Sequence, residues 1–165
     1  MSSPFHTDVR PLHVRSQSRC VVCGPDHPHG LRIRFNPGLD GVVRAEWVPA
    51  SEWEGFEGII HGGIISTVLD EVMSKAVAAA QSQALTGELR VRFRSHVVSG
   101  KTYLIRGWVT ERKKRLLKTE AALTTPEGEE CAHAWAAFVA LPKTRESATM
   151  QGESPARSPQ QREDR

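Results

Sequence analysis

Ile60-His61-Gly62-Gly63-Ile64-Ile65-Ser66-Thr67-Val68-Leu69-Asp70 is the stretch whose reading decides the architecture of this chain. From Gly62 the apolar residues Ile64, Ile65, Val68, Leu69, Val72, Met73, Ala76, Val77 and Ala80 recur with helical spacing, which predicts one long amphipathic helix over 62–81. Ser66, Thr67, Asp70, Glu71, Ser74 and Lys75 fall on its other face. Paired glycines after His61 allow a sharp entry and leave the first helical N–H groups open, at the partly positive end of the macrodipole. A developing oxyanion would be stabilised there, and Asp70, nine residues after the histidine, is a carboxylate able to manage water or attack directly. The pattern points to acyl-transfer chemistry.

On either side of the helix the period changes to two. Leu31, Ile33 and Phe35 alternate with Arg32 and Arg34, then Asn36-Pro37-Gly38 and Asp40-Gly41 supply turn chemistry, and Val42 to Val48 returns as a strand that stops at Pro49. Ser51 to Gly58 reads as a loop rich in Trp and Glu. After Gly87, Leu89, Val91 and Phe93 alternate with Arg90, Arg92 and Arg94; Tyr103–Thr110, Leu116–Thr124 and Cys131–Leu141 follow as strands. Four closely spaced strands after one long helix predict an antiparallel meander packed on that helix, an α+β arrangement.

The 165 residues are one domain's worth, with 39% hydrophobic residues, 25% charged and a net charge of +3. That balance gives no argument for nucleic acid, and no apolar run approaches the ~18–20 residues of a membrane span. Three cysteines without a paired framework, and no apolar leader at the N-terminus, lead to an expected cytoplasmic location. The expected organisation is an N-terminal arm over 1–19, a folded domain over 20–141 and a disordered tail over 142–165, where apolar content collapses.

Gly63 and Asp70 share a helix face, yet Gly62 and Asp70 lie ~12 Å apart along the axis at ~1.5 Å per residue. One helix therefore cannot bring both to a single carbonyl carbon. Two antiparallel copies related by a two-fold axis could, which predicts a homodimer at least, with a tetramer left open, and a site shared between subunits. Glu71 has a structural explanation in Lys75 at i+4, so the chemical role falls to Asp70. No Ser or Cys stands at a nucleophile elbow beside His61, which is read as a residue that sets the loop.

Phe56-Glu57-Gly58-Ile59-Ile60-His61-Gly62-Gly63 followed by Leu69-Asp70-Glu71 resembles the hotdog-fold acyl-CoA thioesterases. The similarity is to the branch that holds the Glu-using 4-hydroxybenzoyl-CoA thioesterase, the phenylacetate-pathway thioesterases and the mammalian thioesterase-superfamily members. It covers about Cys20 to Leu141. It implies a hotdog fold, a long central helix wrapped by a curved antiparallel sheet, with active sites astride a dimer interface. It also implies that Gly62 supplies the oxyanion N–H, that Gly63 shapes the turn, and that Asp70 is general base or nucleophile. Thr86 matches a water-positioning Ser/Thr just before the next strand, and Ser74 a Thr one turn beyond the carboxylate. Many relatives carry Asn or Gln where this chain has Gly55, so a second polarising group is absent or replaced by Glu54 or Glu57.

Arg112-Lys113-Lys114-Arg115 is the densest basic cluster and the expected handle for the CoA nucleotide; a merely soluble turn is the competing reading. Arg90, Arg92 and Arg94 read as a wet sheet face. Cys20-Val-Val-Cys23 with His27 and His29 invites a zinc reading, but there is no second Cys pair, so a packed turn is favoured and no metal is expected. The sequence thus leads to hydrolysis of an acyl-CoA thioester without cofactor, CoA being part of the substrate and neither nucleic acid nor membrane a partner. The alternative is a non-catalytic acyl-CoA-binding or regulatory module. Trp47, Trp53 and Phe56 are candidates for the acyl tunnel.

Overall fold

The computed structural model describes residues 17–80 and 82–142. Residues 1–16 of the expected arm over 1–19, residues 143–165 of the expected tail over 142–165, and Gln81 lie outside the described residues. From Gln17 to Leu141 the described chain belongs to one compact unit. Its strands are β1 (Asn36–Pro37), β2 (Val43–Trp47), β3 (Glu54–Phe56), β4 (Ile59–Ile60), β5 (Ala84–Phe93), β6 (Tyr103–Lys113), β7 (Leu116–Thr124) and β8 (Glu130–Ala140), and α1 (Gly62–Ala79) is the one α-helix among the described residues.

Six strands form a single antiparallel sheet in the order β1-β2-β6-β7-β8-β5, and β3 pairs with β4 in a separate hairpin. α1 packs on this sheet through Ile65, Val68, Leu69, Val72, Met73, Ala76 and Val77, all buried. At about 1.5–3 kcal/mol for each large apolar side chain removed from water, that stripe holds helix to sheet. Facing it, Ile105, Leu117, Leu123 and Phe138 are almost completely buried. Gly107 permits the closest approach: a Cβ there would come within 2.9 Å of the Val72 carbonyl oxygen. This is the hotdog arrangement expected from the sequence.

Several expected boundaries move. Leu31 to Phe35 is not a strand, because Arg32 adopts φ 54° and interrupts the extended run. Ile33 is nonetheless buried, and the segment is held by Leu31 N–H to Val21 O (2.8 Å) and Ile33 N–H to Val22 O (2.9 Å). β5 starts at Ala84, so Thr86 lies inside the strand instead of before it, next to a bulge between Thr86 and Glu88. The meander is confined to β6-β7-β8; β5 crosses to the far side and pairs with β8, becoming a ten-residue edge. The Trp/Glu loop contains a 3-10 turn (Ser51–Trp53) and β3. Among the described residues no helix is long and apolar enough to cross a membrane.

Candidate active site

The N-terminus of α1 is capped by His61, whose extended backbone (φ −60°, ψ 132°) turns the chain into the helix. Its Nδ1 accepts from the Gly63 N–H at 2.9 Å, which fixes the ring's other nitrogen as the protonated one in the neutral tautomer. Its own N–H donates to Trp53 O at 2.9 Å, while its carbonyl accepts from Ile64 and Ile65. His61 is a loop-setting cap, with Nδ1 committed to the backbone.

The two glycines therefore differ. Gly63 N–H is satisfied, whereas Gly62 N–H has no hydrogen-bond partner among the described residues. Gly62 borders a cleft of about 630 Å³ lined by Phe56, Ile60, Ile65, Phe93 and Val97 as its apolar wall and by Arg94, Ser95 and His96 at its polar edge. Phe93 lies across the helix tip, 3.3 Å from where a Gly62 Cβ would be. Sequence reasoning did not pick out Phe93, Val97 or His96; Phe93 ends the alternating run of β5, and the bend after it carries the other two.

Asp70 sits two turns along α1, half-buried, and its Oδ1 accepts from Thr86 Oγ1 at 2.9 Å. Burial pushes the Asp70 carboxyl above its ordinary value, the Thr86 bond opposes that rise, and the neighbouring charge of Glu71 adds to it. Ser66 Oγ and Thr67 Oγ1 fold back onto the Gly62 and Gly63 carbonyls at 2.9 and 2.8 Å, so the face between Gly62 and Asp70 is small and flat. Ser74, one turn further, is half-buried and makes no side-chain hydrogen bond among the described residues. Within one chain Asp70 and Thr86 meet, but Asp70 is not among the residues lining the Gly62 cleft.

Gly55 packs on the cap itself: a Cβ there would lie 3.0 Å from His61 Cδ2 and 3.2 Å from His61 Cα. An Asn or Gln side chain would thus depart in tight contact with His61, which would have to shift by a few tenths of an ångström. Glu54 does not replace it, since its carboxylate accepts from Ser99 Oγ (2.5 Å) and Gly58 N–H (2.9 Å). Those bonds, Ser99 first, hold the Glu54 carboxyl below its usual range. Glu57 is exposed and is not among the cleft residues. Of the tunnel candidates, Phe56 lines the cleft, Trp53 packs against the core, and Trp47 is 95% buried within it.

The basic cluster straddles the β6–β7 turn. Arg112 Nη1 donates to Ala80 O at 3.4 Å, Lys113 pairs with Glu111 at 2.5 Å, and Arg115 Nε donates to Ala140 O at 3.0 Å. Lys114, at the turn with φ 52°, is exposed and has no partner among the described residues. Arg94 pairs with Glu130 at 2.7 Å and Arg90 lies 5.6 Å over the Trp135 ring. Cys20 and Cys23 are not part of the cleft; Cys23 Sγ donates to Glu71 Oε1 at 3.1 Å, and burial, then Glu71, pushes its pKa up to about 12. His27 stays apart from the pair, its Nδ1 accepting from the His29 N–H at 3.2 Å.

Residues 57–132 match the family model described as the thioesterase superfamily. No curated protein matches the chain. Among solved structures, a thioesterase superfamily protein aligns at TM-score 0.69 with 24% identity, over 72% of this chain and 61% of its own. A Streptococcus mutans UA159 protein bound to acetyl CoA aligns at 0.64 with 18% identity, over 68% of this chain and 91% of its own. The PaaI protein of the E. coli phenylacetic acid degradation operon aligns at 0.62 with 14% identity, over 66% and 83%. At these identities the likeness establishes a shared fold, and the chain spans about three fifths of the first of these relatives.

Proposed function

We propose that this chain, a hotdog-fold protein similar to the thioesterase superfamily, hydrolyses an acyl-CoA thioester to the free acid and CoA in a site shared between two subunits. The observation that carries the reading is the separation, on one helix, of an unpartnered N–H at Gly62 from a half-buried carboxylate at Asp70 held by Thr86. In an antiparallel helix pair with Asp70 opposite Gly62 of the other protomer, the two-fold axis passes beside Ser66, midway between them. The hydroxyl of Ser66 is turned back onto its own backbone, which suits close contact.

The outer side of β5 supports the same assembly. It is the long free edge of the sheet and exposes Leu85, Leu89 and Phe93. A long apolar edge left open is an aggregation liability, and pairing with a second β5 removes it. That pairing also covers Thr86 and completes the desolvation of Asp70.

In the proposed reaction, Asp70 takes a proton from water whose oxygen attacks the thioester carbonyl carbon. Negative charge develops on the carbonyl oxygen, which accepts from the Gly62 N–H at the positive end of α1. The tetrahedral species collapses by breaking the C–S bond, and the CoA sulfur leaves with the proton returned from Asp70. Oδ1 is held by Thr86, so the base is presented in one orientation, and desolvation makes it a stronger base than an exposed carboxylate. No cofactor enters this chemistry. Lys114 is the residue of the basic turn free to meet a phosphate, with Arg112 holding that turn against the C-terminal end of α1.

The test is thiol release from short, long and aromatic acyl-CoAs by wild type and Asp70→Ala. Turnover that the substitution lowers by about 10²–10⁴ supports hydrolysis by this base. Equal inertness of both proteins, with CoA still bound, establishes the non-catalytic binding module instead.

A further inference from the structure

The N-terminal loop that the mechanism leaves unused meets α1 on the side turned away from the cleft. There Cys20 Sγ, Cys23 Sγ and a Glu71 carboxylate oxygen all lie within 4.8 Å of one another. Tetrahedral zinc with sulfur at ~2.3 Å and oxygen at ~2.0–2.2 Å sets its donors roughly 3.3–3.8 Å apart, so only small side-chain adjustments separate this cluster from a coordination shell. Three features show a built loop. The Val22 N–H donates to Cys20 Sγ at 3.4 Å, a bond that orients the sulfur. The Gly24 N–H donates to Cys20 O at 2.8 Å and closes the turn. A Cβ at residue 24 would fall 2.4 Å from Cys20 N and from Ser18 O, so only glycine can follow Cys23 in this conformation.

We propose that Cys20, Cys23 and Glu71 form a binding site for a single thiophilic divalent cation, zinc foremost, that staples the loop to the helix residue adjoining Asp70. The two soft thiolates select zinc over magnesium or calcium, and zinc also accepts the harder carboxylate oxygen as a third ligand. On binding, both thiol protons leave to solvent. The three anionic ligands against a dication leave one negative charge, and Lys75, 3.3 Å from Glu71 Oε1 and hydrogen-bonded to Gln17 Oε1, neutralises it. His27 and His29 are not among the clustered donors; His27 Nδ1 accepts from the His29 backbone N–H. Sequence reasoning dismissed a metal for want of a second Cys pair; Glu71, 48 residues beyond Cys23, is the ligand that the spacing could not reveal.

The experiment uses the full-length chain, reduced and stripped with a chelator, then titrated with Co²⁺ and with Zn²⁺. One equivalent of Co²⁺ should give thiolate-to-cobalt charge-transfer absorption that Zn²⁺ abolishes by displacement. Cys20→Ser and Cys23→Ser should each lose most of that absorption, and Glu71→Gln should weaken binding at least about tenfold. Zn²⁺ should also protect two of the three cysteines from a thiol reagent in wild type, a readout that needs no variant. No charge-transfer band, or equal thiol reactivity with and without Zn²⁺, overturns the site. Wild-type affinity in Glu71→Gln overturns Glu71 as third ligand.

Discussion

Asp70 Oδ1 accepts a 2.9 Å hydrogen bond from Thr86 Oγ1, and this bond ties the middle of the central helix to the exposed edge strand of the sheet. The two residues are 16 positions apart, and the helix end and the turn into β5 separate them in the chain. The acid is thereby fixed at the longer of the sheet's two edges among the described residues, the edge at which the proposed second copy would pair. Because one oxygen is engaged by a neutral hydroxyl instead of a cation, the bond orients the carboxylate without abolishing its basicity.

That balance predicts a pH response. The Asp70 carboxyl is raised above its ordinary value by burial, against the lowering effect of Thr86. Activity needs the ionised form, so kcat/KM falls as pH falls through the raised value, and Thr86→Val moves this acidic limb to higher pH while Thr86→Ser leaves it near wild type. The stability effect has the opposite sign. A carboxyl raised on folding binds its proton more tightly in the native state, so its cost is full above the folded value and vanishes below the unfolded one. Asp70→Asn should therefore raise Tm at neutral pH, with the gain shrinking as pH drops through that window, even as turnover collapses. Thermal melts across pH, beside pH–rate profiles, check both.

The cap at His61 is separable from chemistry. Removing its Nδ1 acceptor leaves Gly63 N–H unsatisfied at the helix start, and His61→Ala should cost about 1 kcal/mol. His61→Asn, which supplies another acceptor at the cap, should recover most of that stability. Denaturant titrations of the three proteins decide it, and recovery by Asn without imidazole excludes a general-base role if turnover recovers in step.

Gly55 gives a counterintuitive expectation. Installing the Asn expected at this position from the resemblance should not raise the proposed activity, because the new Cβ presses on the His61 ring and backbone at 3.0–3.2 Å. Gly55→Asn should destabilise by about 1–3 kcal/mol and lower turnover through the displaced cap. A melt and a thiol-release assay measure the two effects.

Within the basic turn the structure distinguishes cations that the sequence listed together. Arg112 holds the end of α1, whereas Lys114 is exposed and has no partner among the described residues. Lys114→Ala should raise KM for acyl-CoA with kcat and Tm unchanged, an effect that salt diminishes. Arg112→Ala should lower Tm.

The helix and the sheet were legible because their periods are clean: Val68, Leu69, Val72 and Met73 face the core as the spacing requires. Strand pairing was not, since nothing in Leu89, Val91 and Phe93 says that β5 skips β6 to join β8. Leu31 to Phe35 alternates as well as any strand, yet the positive φ of Arg32 breaks it, a tertiary demand that propensity does not encode. For the site, the Gly62–Asp70 separation on one helix was legible from spacing alone, and the proposed second subunit rests on it. The difference between Gly62 and Gly63 was hidden, because it depends on which way the His61 ring turns. Glu71 was paired with Lys75 from sequence, and that pair exists at 3.3 Å, but its contact with Cys23 is long-range and left no local trace.

The shared site has a decisive complementation test. Gly62→Pro deletes the one N–H at issue while keeping a residue suited to the first helical position. His61 already has the extended backbone, ψ 132°, that precedes proline, and the atoms nearest a Cβ at residue 62 are those of the half-exposed Phe93 ring. This variant alone should lose about 10²–10³ in turnover, and Asp70→Ala alone about 10²–10⁴. Unfolded together and refolded as a mixture, the two chains form mixed dimers in which one site combines the intact Asp70 of one chain with the intact Gly62 of the other. Roughly a quarter of wild-type activity should return if the chains pair at random. A site contained within each chain predicts no recovery at all, so a mixture as inert as its components refutes the shared arrangement.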